Sequence, residues 1–359
     1  MPSRDREGAI WPATIGGVKA VRIHAHGGPE QLVYEDAPEP AFQADEVLLR
    51  VRAAALNHLD IWTRNGLPTV KVPMPHVLGS DAAGEVVAAG DLCTRVRPGM
   101  RVIVAPGLSC RQCMQCVSGN DNQCREYRVL GTTIDGVNRE LMAVPEYAAI
   151  EIPADLGYEE AAAAPLVFLT AWHMLFTRAQ LQPGETVLVL AASSGVGMAA
   201  VQLAKLFHCR VIATAGSETK LASALALGAD CVIDHYRQNI AAEVRRLTAK
   251  RGVDVVFEHV GAATWQKSLA SLAPGGRVVT CGATTGYDTS LDLRFLFSKR
   301  QSVLGSYMGT LGELHRVMRF LFERQVHAVI DRVYPLSEIR AAHRRLENKE
   351  QFGKIVLAI

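Results

Sequence analysis

Residues 187–200, VLVLAASSGVGMAA, decide the fold. Val187, Leu188, Val189 and Leu190 run without a polar interruption, the mark of a strand buried on both faces. The small residues Ala192, Ser193, Ser194, Gly195, Val196 and Gly197 then form a tight turn. Beyond it Val196, Ala200, Leu203 and Phe207 recur at i, i+4, i+7 and i+11, one face of a helix. A buried strand, a tight turn and a helix start hold a dinucleotide pyrophosphate at the helix N-terminus. The turn departs from G-x-G-x-x-G, because Ala192 and Ser194 occupy the first two glycine positions. Small side chains still admit close backbone approach, and Gly197 still permits tight helix–strand packing. The setting, more than the glycine count, makes these six residues a cofactor-binding candidate.

Downstream the strand–helix alternation continues. Apolar runs at 211–215, 231–234, 255–260, 277–282 and 302–306 bring the strands to six, so a doubly wound parallel sheet is expected over 165–310. The second strand ends at Ala215-Gly216-Ser217, about 20 residues past the turn. An acidic residue there would grip the ribose 2′-hydroxyl of NAD. Gly216, Ser217 and Lys220 stand there instead, and a hydroxyl with an ammonium suits a 2′-phosphate. NADPH is therefore expected over NADH, with Glu218 one residue into the loop and solvated. Lys220 equally fits a surface helix cation. His235, after the third strand, is placed near the adenine or 2′-phosphate. Gly282 and Ala283 fall at the carboxyl edge of the fifth strand, where such sheets bind ligands.

Upstream the chain is β-rich. Segments 47–57, 82–90 and 101–106 are apolar and separated by turn signals such as Arg97-Pro98-Gly99. Residues 159–176 read as an apolar helix or helix pair broken at Pro165. The expected organisation is a polar extension at 1–17, a β-rich domain at 18–164, the cofactor domain, and a segment at 311–359 rejoining the first domain.

Within the β-rich part, Cys110, Cys113, Cys116 and Cys124 follow the spacing C-x2-C-x2-C-x7-C. Four thiolates close a tetrahedral shell around one zinc and leave no open position, so a lobe at about 107–128 carries one structural zinc. Cys93, Cys209, Cys231 and Cys281 lie in or near apolar stretches as small hydrophobes. This cysteine usage suits a reducing cytoplasm rather than a disulfide framework. Of 359 residues 21% are charged, the formal net charge is +2, and no basic block is present, which argues against nucleic acid. No run approaches the roughly 20 apolar residues of a membrane span, and residues 1–17 lack a secretory apolar core.

From about residue 19 to 359 the sequence resembles the medium-chain dehydrogenase/reductase superfamily. The cysteine lobe is similar to that of zinc alcohol dehydrogenases. AAALNHLDIWTRNG, AAAAPLVFLTAW, ATAGSETK and FGKIVL look more like the quinone oxidoreductase branch. The resemblance implies an α/β architecture, a GroES-like catalytic domain with a Rossmann domain, and a homodimer or homotetramer acting on a small molecule. It also implies that Thr170 belongs to the cofactor site. The catalytic zinc of the alcohol dehydrogenases is held by a Cys, a His and a later Cys. At these places the chain has Asn57, Ser80 and a residue near Leu166. A carboxamide, a hydroxyl and an alkyl group make no useful zinc site.

Without a Lewis acid, alcohol ionisation is hard, whereas hydride delivery to an enone, enoyl thioester or quinone is not. Asn57 is expected to line the nicotinamide pocket or to stabilise a turn. Asp60 is expected to hydrogen-bond structurally or relay a proton, and Asp81 to be a relic of the ligand set or a polar wall. His58 is a phosphate contact or a packed histidine, and Trp62 shapes the acceptor pocket or packs. The leading expectation is an NADPH-dependent reductase of quinones or α,β-unsaturated carbonyls. A zinc alcohol dehydrogenase with an improvised His58, Asp60 and Asp81 shell, and a non-catalytic NADPH-binding protein, stay open.

Overall fold

The computed structural model describes residues 17–68 and 70–359. The extension expected at 1–17 lies, apart from Gly17, outside the described residues. The described residues form two compact units, one up to residue 166 together with 330–359 and the other 167–329.

The second unit is an α/β layer structure around six parallel strands. In spatial order they are Cys231–Asp234, Arg210–Ala215, Thr186–Val189, Val253–Glu258, Leu272–Thr280 and Ser302–Gly305. The strand order reverses direction at Thr186–Val189, the first of the six in chain order, and ligands bind at such switch points. The core explains the apolar runs: Leu188, Ile212, Val256 and Val278 are buried between helix layers, with Ile240, Val244 and Trp265 from the covering helices. The doubly wound six-stranded sheet read from the sequence is present.

The first unit is built around the long strand Glu46–Ala55. It pairs antiparallel with Asp81–Ala89, with Leu141–Pro145 and with the C-terminal strand Lys354–Ala358. Alternating exposure at Arg50 and Arg52 gives way to the fully buried run Ala53–Ala55, so the strand dives into the core towards its end. Ile330–Pro335 lies parallel to the C-terminal strand at the sheet edge.

The return to the first unit starts at Ile330, not at the expected residue 311. The helix Leu311–Phe322 packs in the second unit because its buried stripe, Leu314, Val317, Met318 and Leu321, has partners there. Phe320 stacks on Trp172 with centroids 5.8 Å apart, and Glu313 bonds His173 at 2.9 Å. The 159–176 stretch resolves into helices Tyr158–Ala162 and Pro165–Trp172 followed by a π-turn segment, His173–Arg178.

Candidate functional site

In the second unit the residues after Thr186–Val189 turn sharply. Ala191 takes a left-handed φ of 45°, and Ser194 caps the helix Gly195–Leu206 by accepting the Gly197 N–H at 3.0 Å. A Cβ on Gly197 would stand 2.5 Å from the Ala191 carbonyl oxygen, so only glycine fits where the helix meets the strand. The first-turn amides of this 12-residue helix make the kind of anion cradle that a pyrophosphate fills. The tight residue is Ala191, one before the first expected glycine position. On the neighbouring strand, Thr214 Oγ1 accepts the Ala191 N–H at 3.0 Å and pins the turn.

At the end of Arg210–Ala215 lies a cavity of about 480 Å³ lined by Gly216, Ser217, Glu218, Thr219, Asp234, Tyr236 and Arg237. Ser217 caps the next helix, accepting from the Lys220 N–H at 3.3 Å. Gly216 is open because a Cβ there would strike the Tyr236 ring at 2.4 Å and the His235 ring at 2.9 Å. Lys220, expected as the phosphate cation, is not among the lining residues. Arg237 is, reaching Glu218 at 3.2 Å with 74% of its side chain exposed. Sequence reasoning passed over Tyr236 and Arg237. The signal available was a ring and a guanidinium directly after the third strand.

The loop after the fifth strand, with Gly282 and Ala283, is tied to the loop after the fourth. Thr285 N–H donates to the Val260 carbonyl at 2.8 Å, and Gly286 N–H to that of Ala283 at 3.2 Å. Glu258, fully buried, organises this edge by accepting from the Val260 and Gly261 amides and the Thr264 and Ser268 hydroxyls. His259 reaches the Leu190 carbonyl at 2.9 Å and Ser194 Oγ at 3.3 Å, and burial holds its pKa below the usual value. Thr170 is buried on the helix Pro165–Trp172, with no lining role in the cavity.

In the first unit the sheet register assembles a second group. Ala55 is opposite Asp81 on one side and Val356 on the other. Asn57, just past the strand, therefore sits between Asp81 and Lys354. Lys354 Nζ donates to Asn57 Oδ1 at 2.6 Å and to Asp81 Oδ2 at 3.0 Å. Asn57 Nδ2 donates to the same Asp81 oxygen at 2.8 Å, and the Leu166 N–H donates to Asp81 Oδ1 at 2.8 Å. Asp81 and Lys354 are 0% and 2% exposed. An ammonium and a carboxylate this deep need such complete hydrogen bonding to offset their lost hydration.

Asp60 joins from the first turn of the helix His58–Asn65, accepting the Asn57 N–H at 2.8 Å. Burial pushes its carboxyl up to about 7, against the opposing pull of the Asn57 amide and Lys354. Ser80, at the expected histidine position, spends its hydroxyl on the Leu130 carbonyl at 2.7 Å. His58 and Trp62 face each other with centroids 6.3 Å apart. The structure thus brings Asn57, Asp60 and Asp81 together and adds Lys354. No reading of the sequence gave Lys354 a role. Its signal was a lone cation heading an apolar terminal strand.

The four expected zinc ligands converge. Sγ–Sγ separations of 3.5 Å (Cys110–Cys124), 3.6 Å (Cys113–Cys116), 3.8 Å (Cys113–Cys124) and 3.9 Å (Cys110–Cys116) surround one point. A zinc bonded at about 2.3 Å to four tetrahedral thiolates requires edges of roughly 3.8 Å, so the donors fit that ion. The Gln112 and Cys113 amides lower the Cys110 thiol to about 7. Among the described residues this is the one group of three or more His, Cys, Asp or Glu side chains placed to share a metal. The improvised His58, Asp60 and Asp81 shell is not such a group. No helix among the described residues is long and apolar enough to cross a membrane.

Comparisons agree with this geometry. Residues 43–154 match the family described as alcohol dehydrogenase GroES-like domain, and residues 195–323 match zinc-binding dehydrogenase. The chain is 33% identical to a quinone oxidoreductase of Pseudomonas aeruginosa, over 94% of this chain and 99% of that one. It is 31% identical to an acryloyl-coenzyme A reductase of Metallosphaera sedula, over 95% and 99%. A solved structure described as an NAD-dependent alcohol dehydrogenase superposes with a TM-score of 0.92 at 44% identity, covering 95% of this chain and 99% of that one.

Proposed function

We propose that this chain, which belongs to the medium-chain dehydrogenase/reductase superfamily of NAD(P)-dependent oxidoreductases, uses NADPH to reduce a quinone or an α,β-unsaturated carbonyl compound without a catalytic metal. The observation that carries the reading is the Asn57–Asp81–Lys354 knot. The oxygens that a second metal would need already accept hydrogen bonds from a buried ammonium. A divalent ion brought beside that ammonium would meet like-charge repulsion in a water-poor site. An enone, enoyl thioester or quinone needs no such ion. A bound dihydronicotinamide would supply the hydride for the acceptor's electron-poor carbon; this chain's part would be to hold that cofactor at the Gly195–Leu206 helix N-terminus and to place Asn57 by the acceptor oxygen, with a solvent proton balancing the product.

In this reading the Gly195–Leu206 helix N-terminus takes the pyrophosphate, with Ala192, Ser193, Ser194, Gly195, Val196 and Gly197 in contact. His58 and Thr170 keep their cofactor-side roles. Gly216, Ser217, Lys220, His235 and Arg237 take the adenosine 2′-phosphate end, and Gly282 and Ala283 border the carboxyl edge. Asn57, Asp60 and Asp81 serve the acceptor side. The cysteine lobe holds one zinc with its shell closed, which stabilises the fold and leaves the metal unable to bind substrate. A reducing cytoplasm would keep those thiols available.

The likeness to an NAD-dependent alcohol dehydrogenase favours a second reading, alcohol–carbonyl interconversion with NAD. Glu218 and Asp234 in the adenosine cavity suit a 2′-hydroxyl. One set of assays separates the two. Initial rates are compared for NADPH and NADH with quinones and enones, and for NADP and NAD with primary and secondary alcohols. Zinc per subunit is counted in parallel. Fast NADPH oxidation with one zinc supports the first reading. Chelator-sensitive alcohol oxidation with two zincs would replace it.

A further inference from the structure

We propose that Lys354 is the resident cation of the acceptor-side site: its ammonium fills the place between Asn57 and Asp81 that a metal ion would need and fixes the Asn57 carboxamide in the orientation the reduction uses. The inference rests on the metal-free reading and gives it a specific residue.

The argument is one of atoms. Asn57 has an acceptor end and a donor end. Lys354 has only donors, so the atom 2.6 Å from Nζ must be the amide oxygen. That assignment turns Nδ2 to Asp81 Oδ2, where it stands at 2.8 Å. Nδ2 carries two protons. One goes to Asp81, and the second is donated over a long contact to the Ala55 carbonyl, with Nδ2 3.5 Å from the oxygen. This weakly held N–H is a donor that an acceptor oxygen can compete for, as is the Lys354 N–H not engaged by Asn57 or Asp81. Asp81 Oδ2, an acceptor, favours the same orientation and Lys354 reinforces it: a flipped Asn57 would set its oxygen against the carboxylate and its Nδ2 against the ammonium, and would offer the incoming oxyanion an oxygen. Lys354 also supplies the counter-charge that the Leu166 and Asn57 N–H groups do not give Asp81. Lys354 thus acts through Asn57 and is a positioning residue.

Three variants test this. Lys354→Arg keeps a cation. Lys354→Met removes it but leaves Asp81 charged and buried, and such a break costs enough to threaten folding. The double variant Lys354→Met/Asp81→Asn removes both charges and keeps a neutral, foldable site. Turnover with NADPH and an enone, NADPH affinity by fluorescence, and melting temperature are read for each. In the double variant kcat is expected to fall at least about tenfold, with NADPH affinity within about twofold and the melting temperature near wild type. Lys354→Arg should recover a substantial part of kcat. A double variant that folds and keeps wild-type kcat overturns the proposal.

Metal content supplies a readout independent of turnover. In excess zinc the wild type should bind one equivalent per subunit, the one the cysteine lobe holds. A wild type that takes two overturns the claim that the ammonium holds the metal's place. Wild-type turnover that requires a second metal would sink the metal-free reading itself. One zinc, good turnover and an unaffected double variant would sink only the role of Lys354.

Discussion

At the scale of the residue, Asn57 and Asp60 show how little a pattern says without its partners. Asn57 stands where the resemblance to the zinc alcohol dehydrogenases implies a cysteine, and that departure was visible in the sequence. That its carboxamide is gripped from both sides was not visible, because Lys354 comes 297 residues later. Asn57→Ala should lower kcat at least about tenfold while NADPH binding, measured by fluorescence, changes less than about twofold. Equal losses in both would make the residue structural.

Asp60 gives a pH signature. Its folded pKa, raised to about 7 by burial, lies above the unfolded value near 3.8. The folded state therefore keeps its proton while the unfolded state loses it, and stability falls as pH rises from about 4 to about 7. Asp60→Asn should remove that slope when melting temperature is followed from pH 4 to 8. A variant with the wild-type slope would mean that Asp60 ionises normally in the fold. Arg237 is the matching test on the cofactor side. Arg237→Ala should raise the KM for NADPH about tenfold and leave that for NADH nearly unchanged, since an exposed guanidinium beside the cavity matters mainly to a phosphate. Tyr236 and Arg237 escaped sequence reading because they follow a strand by one and two loop residues, and loop direction has no periodicity to read.

At the scale of the element, the clustering of the four cysteines and the tight strand-to-helix turn were legible because each is local. The four thiols lie within 15 residues, so spacing nearly dictates geometry. Cys116→Ser should release the zinc and lower the melting temperature by several degrees, checked by mass spectrometry and calorimetry. Its specific activity per folded molecule should stay near wild type, and a stable, zinc-loaded but inactive variant would contradict a purely structural lobe. The helix Leu311–Phe322 was less legible. Its amphipathic stripe announces that one face is buried, not against what, and its capping box at Thr310 and Glu313 serves equally in either unit. Its assignment rests on Phe320 against Trp172 and Phe207, contacts made over more than a hundred residues of sequence.

At the scale of the whole molecule, the six-stranded sheet ends in two edge strands, Cys231–Asp234 and Ser302–Gly305, and the second is the more exposed. Around it Leu293, Phe295, Phe297, Val303 and Tyr307 are all exposed. An uncovered strand edge flanked by aromatic side chains invites a second copy. Native mass spectrometry should give at least twice the 38.9 kDa chain mass, and Val303→Lys with Phe297→Glu should shift it to monomer. A wild type that stays monomeric at micromolar concentration would exclude the edge as an interface.

The position of Lys354 also sets an order of assembly during synthesis. The strand Glu46–Ala55 and the carboxylates of Asp60 and Asp81 leave the ribosome early. The strand that flanks them and the ammonium that neutralises Asp81 emerge only after every residue of the second unit. The cofactor unit, continuous from 167 to 329, can fold as soon as it is made. The first unit must wait with an unpaired sheet edge and an uncompensated charge, so it closes last, and a nascent chain stalled before Lys354 would carry a finished nucleotide fold beside an open one.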